Sequence, residues 1–294
     1  MMTRNSILIA GAYNVVGRQV ATSIRHGYTT PVYRFNTPNQ FTMPQSTGAK
    51  TGARVSHSEN IPSGLSFNRS QPLPRHVAII GAAGGLGQAL LTLCREAGIE
   101  FTAIVRSRPE RITDIPPGSR VAVVSSLADR SALTAAFAGA DAVITALGVT
   151  STSQEPSALL SENMATVEQA MLAAGIKRVV LINTLLSSSP GKPANLAMRF
   201  FSLFPGIMGR GATEQQAVVD ALGRGEFSSL QWTLVRGGLN ARGKDDVPVA
   251  SSTWANALNS WMPVSYRSMA QWILEEVSMG RFIQAAPLVS RRCQ

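Results

Sequence analysis

From His76 onward, short apolar runs alternate with segments of helical spacing, and no other feature constrains the fold of this chain as tightly. The runs are HVAIIG (76–81), FTAIVR (101–106), RVAVVSS (120–126), DAVITALG (141–148), RVVLINTL (178–185) and LQWTLVRGG (230–238). Between them, GLGQALLTLCREAG (85–98) places Leu86, Leu90, Leu91 and Leu93 at helical spacing. DRSALTAAFAG (129–139) reads as a helix started by Asp129, and further helices are expected near 155–174 and 211–223. Continuous apolar strands, rather than alternating ones, are what a parallel sheet covered on both faces requires. Right-handed crossovers between such strands give a doubly wound α/β arrangement of Rossmann type.

The first strand runs into GAAGGLG (81–87). Gly81, Gly84 and Gly87 form G-x-x-G-x-x-G, with Gly85 as an extra. In a strand–turn–helix the first glycine permits the tight turn, and the middle one lets backbone amides approach a pyrophosphate. The last lets the helix pack closely on the strand. The helix N-terminus adds partial positive charge for the phosphates. Such a pattern is weak alone and stronger at the head of an alternating array. The bland reading is a glycine-rich turn without a ligand.

The end of the second strand then selects the nucleotide. An Asp or Glu about 20 residues beyond the loop would bind the ribose diol of NAD. That place holds Arg106, followed by Ser107, Arg108 and Arg111, with no carboxylate before Glu110. A guanidinium suits a 2′-phosphate through charge-assisted bonds. NADP is therefore favoured over NAD, against the plain reading of a solvated arginine at a strand end.

A second glycine-punctuated run, ILIAGAYNVVG (7–17), resembles the first but lacks the middle glycine, since Asn14 stands where Gly84 does later. It is followed by a tract rich in Pro, Ser, Thr, Asn and Gly, with no apolar segment to supply a partner strand. Nothing before Glu59 is acidic. Val16, Val20 and Ile24 share one helical face, and Arg18 and Arg25 another. A basic amphipathic N-terminus before a polar tract describes a mitochondrial transit peptide, with a plastid one, a disordered tail or a genuine added strand as alternatives. Residues 1–75 are expected to be targeting segment and linker, and residues 76–294 the folded domain.

The net charge of +10 follows the same division. Residues 1–75 carry seven Arg and one Lys against the single Glu59, so most of the excess lies outside the folded body. A nucleic-acid groove would need that charge clustered on the body, so no nucleic-acid partner is expected. No run approaches the roughly 18 to 20 uncharged apolar residues of a spanning helix. Cys94 and Cys293 give neither a metal spacing nor a disulfide framework, and no metal site is expected.

Five pieces, GAAGGLG (81–87), VRSRPER (105–111), GADAVITALG (139–148), AAGIKRVVLINTL (173–185) and LQWTLVRGGL (230–239), resemble in order and spacing the atypical short-chain dehydrogenases with an NmrA-like or NAD(P)H-binding domain. The resemblance covers about residues 76–290. It implies a Rossmann domain with a small C-terminal substrate lobe and NADP in the crevice at the strand C-termini. By position it implies that Gly81, Gly84, Gly85, Leu86 and Gly87 hold the pyrophosphate and Arg106 the 2′-phosphate. Ser126 and Leu127 would flank the adenine. Thr145, Ala146, Leu147 and Gly148 would line the nicotinamide-side ribose. Two positions depart from the family: Ser126 stands where an Asp is usual, and Gly237 where a proline follows the arginine that Arg236 matches.

The catalytic pair of typical short-chain dehydrogenases is absent. A lysine four residues after a tyrosine lowers the phenol's pKa there. After residue 76 the only tyrosine is Tyr266, and the residues four before Lys177, Lys192 and Lys244 are Ala173, Ser188 and Asn240. Thr184 and Asn183 remain as candidates to hydrogen-bond a substrate carbonyl or the nicotinamide amide. Glu214 and Gln215 are weaker candidates to face the crevice. Tyr266 reads as packing at the start of a late helix. Phe200, Phe201 and Phe204 read as core or lid, or more sharply as an apolar wall facing the substrate. Three functions are open: an NADP-dependent oxidoreductase for an apolar carbonyl, quinone or aromatic compound; a non-catalytic nucleotide sensor or assembly factor; and a structural subunit stabilised by bound nucleotide.

Overall fold

The computed structural model describes residues 73–147, 159–238, 245–251 and 264–291, all within a compact unit spanning Ile61–Gln294. Its elements are β1 (His76–Ile80), α1 (Gly85–Ala97), β2 (Glu100–Val105), β3 (Arg120–Val123), α2 (Arg130–Phe137), β4 (Ala142–Thr145) and α3 (Leu160–Ala173). There follow β5 (Arg178–Thr184), α4 (Leu196–Ser202), α5 (Ile207–Gly223), β6 (Gln231–Gly237), β7 (Pro248–Ser251), α6 (Tyr266–Met279) and β8 (Leu288–Arg291). The sheet order is β3-β2-β1-β4-β5-β6-β8-β7. Every pairing is parallel except β7 with β8. The expected doubly wound sheet is the observed one, and its order reverses between β1 and β4.

Period-two alternation divides each strand between two cores. Val77 and Ile79 of β1 join Leu86, Leu90, Leu91, Trp272 and Ile273 under α1 and α6. Ala78 and Ile80 point to the other face, against Leu133 and Phe137 of α2, Met164 and Val167 of α3, and Leu222 of α5. Removing one fully buried leucine from such a core costs about 2 to 5 kcal/mol.

Capping shows how local chemistry places the helices. Asp129 Oδ1 accepts from Ala132 N at 2.9 Å and starts α2 as its sequence position implies. Asn195 and Ser265 do the same for α4 and α6, accepting from Met198 N and Ser268 N. Helix α3 has Leu159 at its N-cap, which offers no side-chain acceptor. Glu214 of α5 takes that role: Oε1 accepts from Ser161 N at 3.0 Å, and Oε2 accepts a short bond from Ser161 Oγ. A carboxylate near a helix N-terminus also complements the helix dipole.

At the opposite end of the sheet Arg178, the first residue of β5, is buried. It donates to the carbonyls of Gln231, Glu276 and Val277, to Thr233 Oγ1 and to Glu276 Oε1. Glu276 is fully buried and also accepts from Arg281 Nε at 3.1 Å and Phe282 N at 2.8 Å. Burial pulls the Arg178 pKa down while Glu276 pushes it up. This network ties the starts of β5 and β6 to the end of α6.

Candidate nucleotide-binding crevice

The reversal between β1 and β4 opens a crevice outside the strand C-termini, where ligands bind in open α/β sheets. Register sets Ile80 opposite both Ile104 of β2 and Thr145 of β4. The chain then turns at Gly81, whose φ of 84° lies in the left-handed region. Gly81 N and Ala82 N both donate to Ile104 O, and Ala146 N donates to Ile80 O at 2.8 Å. A Cβ on Gly81 would stand 2.8 Å from Ala146 O. The turn is therefore pressed against the end of β4, and only glycine fits it.

Helix α1 leaves this turn with Gly84 as its N-cap residue and no capping side chain. The first amides of a helix have no acceptor within it; the first intrahelical bond here runs from Gln88 N to Gly84 O at 2.8 Å. Gly84 and Gly85 are exposed, while Leu86 and Gly87 are buried. A Cβ on Gly87 would come within 2.6 Å of Ala82 Cα, so its absence lets α1 close onto the turn. At Gly84 a Cβ would meet only Gly81 O at 3.3 Å and Ala146 O at 3.8 Å. This is an open cradle lined by backbone, with a dipole and free N–H groups directed into it. It fits a diphosphate by the chemistry of its donors.

Gly85 behaves differently from its neighbours. Its missing Cβ would stand 2.6 Å from Cε2 of Tyr266, the first residue of α6. The extra glycine thus admits the half-buried Tyr266 ring to the N-terminus of α1. Tyr266 packs, as its place at the start of a late helix implies, and what it packs on is the glycine cradle. A fourth glycine beyond the G-x-x-G-x-x-G pattern was the available signal.

Arg106 lies exposed immediately after β2. The following 3₁₀ turn, Pro109–Arg111, is hooked to α1 by Gln88, whose Nε2 donates to Ala82 O and to Arg111 O, each at 3.3 Å. Ser126 follows β3, half-buried, its Oγ accepting from Ala128 N at 3.1 Å. Leu127 is buried in the core with Leu133 and Phe137. Thr145 is buried at the end of β4, with Ala146 and Leu147 half-buried beyond it. Gly148 lies outside the described residues.

Asn183 and Thr184 end β5 at the same edge. The Asn183 amide is buried and engaged at both ends: Nδ2 donates to Gln215 O at 2.9 Å, and Oδ1 accepts from Thr184 N at 2.7 Å. Gln215 Oε1 also accepts from Thr184 N at 3.0 Å. The half-buried Thr184 hydroxyl accepts from Leu186 N at 3.3 Å. Gln215 therefore does reach this end of the sheet, as a brace on β5, while Glu214 caps α3. Arg236 is buried and donates from Nε to Ala286 O at 2.9 Å and from Nη1 to Ser187 O at 3.1 Å. Burial lowers its pKa. At Gly237 the space a side chain would take is filled by Met269, whose Cε lies 2.5 Å from the Cβ position.

The family model described as NAD(P)H-binding matches residues 81–278. This chain belongs to the NAD(P)H-binding family. Solved structures agree on the fold. An oxidoreductase of Lactococcus lactis superposes with a TM-score of 0.56 at 16% identity, over 74% of this chain and 91% of that one. A proposed NADH-flavin reductase of Streptococcus pneumoniae gives 0.56 at 21%, over 74% and 100%. A short-chain dehydrogenase/reductase of Veillonella parvula, solved with NADP, gives 0.52 at 20%, over 74% and 95%. The NAD(P)H-binding match begins at Gly81 and so includes the whole glycine turn, and it ends within α6, so it also includes Tyr266.

Proposed function

We propose that this protein is an NADP-dependent oxidoreductase acting on an apolar carbonyl, quinone or aromatic compound. The observation that carries the reading is the uncapped N-terminus of α1, set in a glycine cradle where the strand order reverses. Gly81, Gly84 and Gly87 shape that cradle, and the amides of Gly85 and Leu86 would hold the diphosphate. The Tyr266 ring beside Gly85 brings a phenol to the same place. Arg106 at the end of β2, with no carboxylate before Glu110, favours the 2′-phosphate of NADP over the free ribose of NAD. Ser126 and Leu127 would flank the adenine, and Thr145, Ala146, Leu147 and Gly148 the second ribose.

A bound nicotinamide supplies hydride transfer; the chain's own residues bind, orient and exclude water. Thr184 is the residue proposed to orient a substrate carbonyl, because among the described residues its hydroxyl accepts from Leu186 N and donates to none, which leaves its own proton to give. Asn183 spends both ends of its amide inside the protein and positions Thr184. With no Tyr-x-x-x-Lys pair, the proton comes from water. That same scarcity of acid and base supports a second reading, a nucleotide sensor that binds without turnover.

The test uses the full chain. Calorimetry with NADPH and NADH measures uptake and preference. Absorbance at the reduced-nicotinamide band then follows turnover with a panel of quinones and aldehydes. Saturable oxidation of NADPH is the expected result. Tight binding without turnover on any substrate moves the reading to the sensor, and no heat with either nucleotide ends both.

A further inference from the structure

Helix α4 carries its apolar stripe outward. Met198 is the residue it buries. Leu196, Phe200 and Leu203, at i, i+4 and i+7, share the opposite face and are 81%, 59% and 81% exposed. Phe204 and Met208 continue the surface at 41% and 57%. The Phe200 ring lies 5.1 Å from that of Phe204 and 5.9 Å from that of Phe201, so the three rings form one aromatic cluster in this surface. At about 200 Å² for a large side chain, these five residues leave on the order of 600 Å² in solvent, the upper end of what the largest patch on a monomer shows.

Charge decides what such a surface meets. Lys192, Arg199 and Arg210 flank it and are exposed. From Arg178 to Thr213 the chain has no Asp or Glu, and the next acid, Glu214, is buried on Ser161. A second copy docked by two-fold symmetry would set these cations against themselves. A partner of negative charge over an apolar interior matches both features at once, and aromatic and leucine tips with basic flanks are the composition of interfacial helices.

We propose that the α4 surface docks this protein on anionic lipid bilayers. Leu196, Phe200, Leu203 and Phe204 enter the headgroup–acyl boundary, and Lys192, Arg199 and Arg210 pair with lipid phosphates. Asn195, which caps α4, donates to Leu186 O just beyond β5. The surface therefore lies at the strand C-terminal end of the sheet, so docking turns the crevice end of the domain toward the bilayer.

Flotation of the full chain with phosphatidylcholine vesicles, with and without phosphatidylglycerol, tests this. Three cations near an anionic surface give a preference on the order of 100-fold for the mixed vesicles, and it falls in high salt. Phe200→Glu with Leu203→Glu is expected to abolish flotation and leave the thermal midpoint unchanged, both side chains being exposed. Should that variant misfold, Arg199→Glu with Arg210→Glu is expected to remove the anionic preference alone. Absence of flotation by the unaltered chain overturns the proposal. So does flotation that survives the paired substitutions, since the basic N-terminal segment would then carry it. Sedimentation showing a dimer in buffer that Phe200→Glu with Leu203→Glu dissociates would assign the surface to a second copy instead.

Discussion

Replacing Gly84 by Ala separates a ligand cradle from a structural turn. Gly84 has φ −79° and ψ 170°, a conformation open to any residue. The added methyl would meet Gly81 O at 3.3 Å and Ala146 O at 3.8 Å, so the carbonyl of Gly81 must give by a few tenths of an ångström. Against that small strain stands the lower unfolded-state entropy of Ala, about 0.4 to 1 kcal/mol. Net stability should move by less than about 0.5 kcal/mol. Binding should respond very differently. A methyl at the mouth of the cradle holds the diphosphate off the α1 amides, and each charge-assisted bond lost costs about 1.5 to 3 kcal/mol. Two weakened bonds predict a loss of about 3 kcal/mol, or on the order of 100-fold in Kd for NADPH. Nicotinamide fluorescence titration measures the second quantity and thermal melting the first. A variant that melts like the parent and binds NADPH within threefold of it would refute the placement of the diphosphate at this turn.

Arg106→Ala should cut the preference for NADPH over NADH by roughly 10- to 100-fold through loss of one charged partner, read from the two dissociation constants. Glu276→Gln should cost about 3 kcal/mol, because it leaves the buried Arg178 without its carboxylate; an unfolding free energy from urea melts that falls by less than about 1 kcal/mol would argue against the network. His76 is buried with Nε2 3.0 Å from Thr102 Oγ1, and burial, then Arg120, lowers its pKa. The unfolded chain therefore binds the proton first, and stability that is complete above the unfolded value of 6.5 falls as pH drops below it. His76→Gln should flatten that part of the profile in melts between pH 7.5 and pH 5. Residues 1–75 fused to a fluorescent protein should direct it to mitochondria, and diffuse fluorescence would leave the segment as a tail.

The parts of this fold legible in sequence are those where one residue type has one physical use. Glycines at 81, 84 and 87 between a β-branched run and a leucine-spaced helix announced the turn, and Asp129 announced α2. Parallel strands left continuous apolar runs that located β1 through β6 to within a few residues, even at β3, the half-exposed edge strand. Elements β7 and β8 left no such mark: each is four residues long, β7 is the edge strand, and their sequences, PVAS and LVSR, are not the continuous apolar runs of the other strands. Glu214 could not be read as a cap, since its partner Ser161 is 53 positions away in sequence. Asn183 looked available for a substrate until Gln215 arrived from α5 to engage it. The phenylalanines in and just after α4 read as core or lid because a seven-residue helix with apolar residues all round has no pattern to say which face is covered; the structure leaves Phe200 59% and Phe204 41% exposed.

Arg178 draws together strands that begin at residues 178 and 231 and a helix that ends at residue 279. The leucines of α1, made nearly two hundred residues earlier, are covered by α6. During synthesis the side of α1 that α6 covers must therefore wait until α6 has left the ribosome, held until then by the sheet alone. Removing two helical turns of α6 would strip that cover from α1, and the cost would appear as insoluble product rather than as weakened nucleotide binding.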